Sequence, residues 1–264
     1  MVSIITPFYN AESHLEQSIL STLQQTEQDW ELLLINDGSQ DRSKEIALSF
    51  DDKRIRYFEQ ENQGVSSARN LGLANMVGEY FCSLDADDIL TERSIQVRKN
   101  IFIENPNIEF VDGIVKIMDA DLKKNTRIWV PNFHGHPLTE LVTATEHCFF
   151  GPSWMIKRVP EKVYQFDENI THCEDLLFYL EITRGGGDYT FVNEPILKYR
   201  DTPGSAMKGL KGLEMGYRYT EMKIRGWAEL DQKDIDIFMY KYKRAMFLAY
   251  LKEKQLINAL KAII

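Results

Sequence analysis

Three carboxylates fall within four positions of the stretch SLDADDIL, residues 83–90: Asp85, Asp87 and Asp88. Carboxylates at i and i+2 after a strand point to the same side of an extended chain, so Asp85 and Asp87 can converge on one cation. Hard oxygen ligands suit Mg2+ or Mn2+, and a magnesium-type site keeps open positions for substrate phosphates. The cluster reads either as a clamp for a metal-diphosphate complex or as a set of caps for a helix beginning near Thr91. An EF-hand is excluded, because Ile89 and Leu90 stand where that loop needs a ligand and a glycine.

Other phosphate readers are missing. There is no G-x-x-x-x-G-K-[ST] and no G-x-G-x-x-G at a strand-to-helix turn, and RGGGDY lacks the spacing. If a nucleotide binds, metal carriage of its diphosphate replaces a phosphate-cradling loop. Asp37, in NDGS, can accept from N3–H of uracil or N1–H of guanine, whereas adenine offers no comparable ring donor. Its plain alternative is a turn residue. Tyr9 offers a flat face for stacking, or is simply a half-buried tyrosine. Glu174 and Asp175 open a helix whose buried side is Leu176, Leu177 and Leu180; they read as an acid/base pair or as first-turn acids favoured by the helix dipole. His134 and His136 in PNFHGHP read as a polar loop rather than a metal pair. Cys82 and Cys173 fall near these motifs without a basic neighbour to activate a thiolate.

The elements that must position these residues alternate. VSIIT is a strand ended by Pro7, and Leu15, Ile19 and Leu23 mark one face of a following helix. WELLLIND is a second strand, followed by a helix with Ser39 and Asp41 as candidate caps. IRYFEQ, VSSARNLGLANM and GEYFCSLD continue as strand, helix and strand. This β-α-β-α order predicts an α/β fold with a mostly parallel sheet flanked by helices, whose ligands bind beyond the carboxyl ends of the strands. Thr6, Pro7, Tyr9, Asn10, Asn36, Asp37 and Asp85 to Asp88 then share one crevice. Beyond residue 90 the pattern loosens: a helix at about 91–104, a strand at IEFVDGIVKIMD, a polar connection through PNFHGHP, a strand near SWMIK, a helix near 175–183 and closing strands in DYTFVNEPILKYR. From about residue 208 the pattern is helical, after a loop DTPGSAMKG. Residues 1–207 are expected to form the main domain and 208–264 a helical C-terminal extension.

A chain of 264 residues can bury a sizeable core. Net charge −9 argues against broad nucleic-acid binding. Three cysteines without a C-x-x-C suggest neither a disulfide framework nor a thiolate zinc site, and point to a reducing compartment. The opening MVSIITPFYN is too short for a signal peptide or membrane span, so a cytoplasmic location is expected. Residues 241–264 carry Lys241, Lys243, Arg244, Lys252, Lys254 and Lys261 against Glu253, with Phe247, Leu248, Leu251 and Leu260 between them. This basic amphipathic tail is expected to dock on the body or on a second subunit, as in a homodimer. The alternative is peripheral contact with the inner face of an anionic membrane.

Four segments together, VSIITPFYNAESHLEQSILSTLQQTEQDWELLLINDGSQDRS, NQGVSSARNLGL, GEYFCSLDADD and CEDLLFYLEI, resemble the family 2 glycosyltransferases of bacterial type with the GT-A fold. The likeness covers about residues 1–200. It implies a nucleotide-sugar-binding half at 1–90 and an acceptor half at 91–207. It further implies an inverting, metal-dependent hexosyltransferase that moves a single sugar from a nucleotide-diphosphate donor, UDP-linked, to a glycan or lipid-linked acceptor, as in cell-surface polysaccharide synthesis. Mn2+ or Mg2+ is the implied cofactor. By the same resemblance Thr6, Pro7 and Tyr9 frame the base, Asp37 reads it, Arg69 lies near the nucleotide, and Asp85 and Asp87 bind ribose and metal. Asp175 is then the general base, with Glu174 beside it and His172 lining the acceptor pocket. The loop after KYRDTPGSAM resembles a closing segment from which Arg200 or Ser205 reaches the diphosphate; an exposed loop is the alternative. No Q-x-x-R-W follows the implied base, which disfavours a processive polymerase. The competing function is a GT-A-shaped protein that binds nucleotide or glycan without turnover. A nucleotidyltransferase is disfavoured because TPFYNAE is neither glycine-rich nor basic.

Overall fold

A computed structural model of the chain describes residues 1–202 and 209–263. The expected closing loop with Ser205, and the expected domain boundary at 207/208, fall outside the described residues. Among these, nine strands form one sheet. Its centre is built from the most continuously apolar runs: β1 (Val2–Phe8) and β2 (Trp30–Asn36) are buried at every position. Such runs are what strands covered on both faces require. β1 pairs in parallel with β2 and with β4 (Tyr80–Ser83), and β2 pairs in parallel with β3 (Ile55–Glu59).

Side chains alternate across this sheet. Ile5, Leu33, Ile35 and Phe81 enter one core, and Ile4, Leu32, Leu34 and Cys82 enter the other. The connecting helices are α1 (Leu15–Leu23), α2 (Ser43–Leu48) and α3 (Val65–Asn75). α1 buries Leu15 and Ile19 in the second core, as their spacing predicts, and α3 buries Ala68 and Leu73 in the first. At Gly72 α3 comes so near β1 that a Cβ would lie 2.4 Å from Ile5 Cγ2. At the start of α2, Asp41 Oδ1 accepts the Ser43 N–H at 2.9 Å, as a cap does. Ser39 instead accepts the Asn10 N–H at 3.1 Å and ties two loops together.

The second half contains β5 (Ile89–Leu90), α4 (Ser94–Glu104), β6 (Ile108–Met118), β7 (Asn125–Trp129), α5 (Leu138–Val142), β8 (Met155–Lys157), α6 (Glu174–Thr183) and β9 (Asp188–Arg200). The strand order is β3-β2-β1-β4-β8-β6-β9-β5, with β7 paired to β6. β6 and β9 are parallel, while β8, β5 and β7 run antiparallel to their neighbours, so the sheet is mixed. Three elements were not expected. β5 is two residues long and exists through its pairing with β9; β7 is largely polar and exists through β6; α5 is barely more than one turn. Local propensity cannot announce elements that long-range pairing creates.

The C-terminal helices are α7 (Leu210–Ile224), α8 (Gln232–Lys252) and α9 (Leu256–Ala262). Leu213, Ile224, Phe238, Tyr242 and Met246 join the same core as Ile5 and Phe178. Arg184 lies over the Trp227 ring at 4.3 Å, and Lys241 Nζ donates to the Ala144 carbonyl at 3.1 Å. The helical tail therefore docks on its own body. Among the described residues no helix is long and apolar enough to cross a membrane.

Candidate active site

The parallel strands deliver their terminal polar residues to one edge. Register places Phe8 beside Asn36 and Ile5 beside Ser83, so β1 and β2 end at the same level and β4 ends three residues short of them, all at the same edge of the sheet. The Asp37 N–H donates to the Phe8 carbonyl at 2.9 Å, and the Leu84 N–H to the Ile5 carbonyl at 2.9 Å. Beyond β1 the loop is knotted to the one beyond β2. Gln40 N–H donates to Asn10 Oδ1 at 2.8 Å, Ala11 N–H to Ser43 Oγ at 2.8 Å, and Glu12 N–H to Asp41 Oδ2 at 3.0 Å. Tyr9 is held at the start of this knot with 48% of its surface exposed, a ring left open to stacking. Pro7 and Thr6 are buried beneath it.

Asp37 is 3% exposed, and its carboxylate is shaped by a segment that sequence reasoning assigned no role. Oδ1 accepts from Gln60 Nε2 at 2.7 Å and from the Gln63 N–H at 2.9 Å, and Oδ2 accepts from the Gly64 N–H at 2.9 Å. A carboxylate has about four acceptor positions. Three are engaged here, and the remaining one is on Oδ2. Asn62 Nδ2 donates to the Asp37 carbonyl at 3.0 Å, which completes the cradle.

Arg69 is the centre of the site. Its NH2 donates to Asp85 Oδ1 at 2.9 Å and its NH1 to Glu174 Oε1 at 3.0 Å, and its guanidinium lies 5.2 Å from the Phe166 ring. It is 3% exposed. Burial alone would lower its pKa, but the Asp85 and Glu174 carboxylates raise it, so the charge is secure. Six buried side-chain polar atoms find no partner among the described residues, and two of them, Arg69 Nε and Thr6 Oγ1, belong to residues of this site. Unsatisfied buried polar atoms are rare, and a ligand is one ordinary reason for them.

The acidic turn does not cap α4, which starts at Ser94 without a side-chain cap. Asp88 is 3% exposed and accepts the Arg200 N–H at 2.9 Å. Burial, then Asp85 and Asp87, push its pKa well up. Burial and Asp85 also raise Asp87. This is charge that a divalent cation would relieve, and the oxygen donors are of the type Mg2+ or Mn2+ prefers. No group of three or more His, Cys, Asp or Glu among the described residues is placed to enclose a metal. Asp85 and Asp87 supply two carboxylates of that type, to which phosphate and water oxygens would have to be added to complete a coordination shell. Arg200 is the last residue of β9, as the closing strand in DYTFVNEPILKYR predicts, and its side chain is engaged within the fold. Its Nε donates to the Asp87 carbonyl at 2.7 Å, NH1 to the Ala120 carbonyl at 2.6 Å and NH2 to Gln17 Oε1 at 2.7 Å.

Asp175 stands in the first turn of α6, where its Oδ1 accepts the Leu176 N–H at 2.7 Å. Burial, then Glu174, raise its pKa well above the usual carboxylate range, while Arg69 opposes them. A Cβ on Gly151 would lie 3.9 Å from Asp175 Oδ2, so the second oxygen faces the segment 149–153. That wall was not expected; the Gly-Pro pair at 151–152 was its only signal. Cys173, just before α6, has φ 62, a left-handed conformation that costs a non-glycine residue about 1–3 kcal/mol. α7 holds it there. Cβ atoms on Gly212 and Gly216 would lie 2.3 Å from His172 Cε1 and 2.3 Å from the His172 carbonyl oxygen. His172 thus lies under α7, next to the residues that open α6. His134 donates to or accepts from Thr190 Oγ1 at 2.8 Å, and His136 Nε2 lies 2.9 Å from the Thr183 carbonyl, so the two imidazoles serve different neighbours.

Comparison with known proteins gives consistent results. The family model "Glycosyl transferase family 2" matches residues 3–164. An uncharacterized glycosyltransferase of Rickettsia typhi, RT0329, is 29% identical over 98% of this chain and 84% of its own length. EpsJ of Bacillus subtilis, named an uncharacterized glycosyltransferase, is 33% identical over 94% of this chain and 77% of its own length. Other matches are partial: one from Rickettsia bellii is 33% identical over 69% of this chain and 26% of its own length, and one from Haemophilus influenzae is 44% identical over 40% of this chain and 43% of its own length. Among solved structures, S. aureus TarS 1-349 in complex with UDP-GlcNAc superposes with a TM-score of 0.75 at 16% identity, covering 100% of this chain and 81% of that one. The mannosyltransferase PcManGT of Pyrobaculum calidifontis, in complex with GDP-Man and Mn2+, superposes with a TM-score of 0.65 at 18% identity over 99% and 73% of the two chains.

Proposed function

This chain belongs to glycosyl transferase family 2 and is a glycosyltransferase with a GT-A fold; within that activity we propose that it moves a single hexose, with inversion, from a UDP-linked donor to a hydroxyl of a glycan or lipid-linked acceptor. The observation that carries this reading is the double donation of Arg69, which reaches Asp85 of the acidic turn, 16 residues on, and Glu174 of the base helix, 105 residues on. Asp175 then sits one residue from the group that meets the diphosphate end of the site.

In this reading Tyr9 stacks on uracil, and the remaining acceptor position of Asp37 Oδ2 takes its N3–H. A cytosine, whose N3 is an acceptor, meets a carboxylate there and is rejected. A divalent cation held by Asp85 and Asp87 would neutralise charge on the diphosphate. Arg69 fixes the direction of Asp85 and keeps Glu174 occupied, so Asp175 is the carboxylate left for proton transfer. The acceptor oxygen attacks the anomeric carbon from the face opposite the leaving group. As that bond forms, the bond from carbon to phosphate oxygen breaks, Asp175 takes the hydroxyl proton and UDP departs. General-base assistance contributes about 10²- to 10⁴-fold.

A thermal-shift panel of UDP, GDP, CDP and TDP, each with and without Mn2+, tests the donor side. Saturation at 100 times the dissociation constant adds about 2.7 kcal/mol of stability. Stabilisation by UDP only with metal is the expected result. Stabilisation by another nucleotide alone would sink the base assignment. On the catalytic side, Asp175→Asn is expected to retain UDP binding and lose about 10²- to 10⁴-fold in transfer or donor hydrolysis; unaltered turnover would remove Asp175 as base.

A further inference from the structure

We propose that the end of α8 together with α9 forms a contact face for an anionic lipid bilayer. Six large aliphatic side chains are exposed within sixteen residues of sequence: Leu248 at 51%, Leu251 at 37%, Leu256 at 64%, Ile257 at 71%, Leu260 at 59% and Ile263 at 47%. α9 turns only its alanines, Ala259 and Ala262, inward. A short helix that buries its smallest residues and exposes its largest is inverted with respect to water, and clustered exposed aliphatics mark interaction surfaces.

The charges around these side chains select the occupant. Arg244, Lys252, Lys254 and Lys261 are all exposed, with Glu253 the acid among them, on a chain whose net charge is −9. Arg244, Leu248, Leu251 and Lys252 recur at helical spacing and share one stripe of α8. Leucines flanked by lysines match the acyl boundary and the anionic headgroups of a bilayer. A second copy of the chain fits less well, because a two-fold interface would set these cations against their own copies.

Placement also favours a membrane. α7 and α8 run antiparallel: Tyr242 hydroxyl donates to Glu221, and Tyr250 hydroxyl donates to Glu214 Oε2 at 2.8 Å. The end of α8 therefore lies at the α7 end that carries Gly212, against His172 and close in sequence to Asp175. Resting on the glycosyl-transfer reading above, the same docking would bring an acceptor with a lipid anchor to the base side of the site.

The test is cosedimentation of the full chain with vesicles of phosphatidylcholine and with vesicles of an equal mixture of phosphatidylcholine and phosphatidylglycerol. We expect sedimentation with the mixed vesicles, weakened by salt, and weak or no sedimentation with phosphatidylcholine. The variant Leu256→Ser/Ile257→Ser/Leu260→Ser should abolish it, and Lys252→Glu/Lys261→Glu should weaken it at least about fivefold for each charge reversed. All five positions are exposed, so both variants should keep the wild-type melting curve and the wild-type UDP response. Equal binding to both vesicle types overturns the assignment, as does a triple-serine variant that sediments like wild type. So does a dimer that the serines dissociate in the absence of any vesicle binding. Because UDP stabilisation is measured on the same protein, loss of vesicle binding with UDP binding intact rejects this face alone.

Discussion

Arg200 holds Asp88 from the main chain, its N–H donating to Asp88 Oδ1 at 2.9 Å, while its guanidinium reaches past that carboxylate to the Asp87 carbonyl at 2.7 Å. The last residue of β9 thus shapes the turn that carries Asp85 and Asp87. A lysine cannot reproduce three donations in a fixed fork. Arg200→Lys should strand buried acceptors at a cost of about 1–3 kcal/mol in urea unfolding. It should also weaken Mn2+-dependent stabilisation by UDP. A variant that is less stable but binds UDP and Mn2+ like wild type would confine Arg200 to stability.

Asp87 stands in a partly buried turn with Asp85 and Asp88, and its raised pKa records burial first and repulsion from Asp85 second. Replacing it by the neutral isostere Asn removes the strained charge. The nucleotide-free Asp87→Asn protein should melt at or above the wild-type temperature. Its UDP response should no longer depend on Mn2+. A clear fall in melting temperature would show that the carboxylate stabilises the turn rather than burdening it.

Gly212 and His172 meet where α7 crosses the start of α6, and an added Cβ would lie 2.3 Å from the imidazole. Gly212→Ala should destabilise by about 1–3 kcal/mol through overpacking, despite alanine's better helix propensity. His172→Ala should relieve it, so the double variant should recover much of the loss in a mutant cycle. Additive losses would mean that the two residues do not share the contact.

The acid limb of stability should run through Asp167. Burial works against its ionised form, but the Lys223 ammonium, the Asn169 N–H and amide, and the Tyr219 hydroxyl hold its pKa down at about 2. A depressed carboxylate contributes stability that is present above its unfolded pKa, near 4, and lost as pH falls through the folded value. Lys223 Nζ lies 2.8 Å from Asp167 Oδ2 and joins α7 to the segment before α6. The stability gap between wild type and Lys223→Met should therefore be constant above roughly pH 5 and shrink towards pH 2. A gap independent of pH would assign the loss to packing of the lysine stem.

Much of the first half was legible because its signals are local. Apolar runs that stop near Asp37 and Asp85, with helical spacing between them, are enough to order β1 to β4, although β1 runs through Pro7 to Phe8 instead of ending at the proline, and parallel order puts the strand ends on one edge. The acidic turn was visible for the same reason. The partners of these residues were less so. Gln60, Gln63 and Gly64 around Asp37 belong to an ordinary polar loop, and their role follows from the direction of two N–H groups and an amide. Arg200 was expected to close a strand and to reach the diphosphate; it does end β9, but its guanidinium is engaged by the Asp87 and Ala120 carbonyls and by Gln17.

By itself the sequence determined which residues could do chemistry, the order of the elements that carry them, and the excess of basic and apolar residues in the tail, because composition and short-range periodicity are local properties of the chain. Only the tertiary structure decided which of them meet. Arg69 and Glu174 lie 105 residues apart, and Gly212 meets His172 across two helices, contacts that depend on how α3, α6 and α7 pack. It also decided which face of the tail remains exposed, because α9 is turned by the small side chains of Ala259 and Ala262, the two it buries. Packing closeness is set by the atoms a residue lacks as much as by those it has, and that is read only in three dimensions.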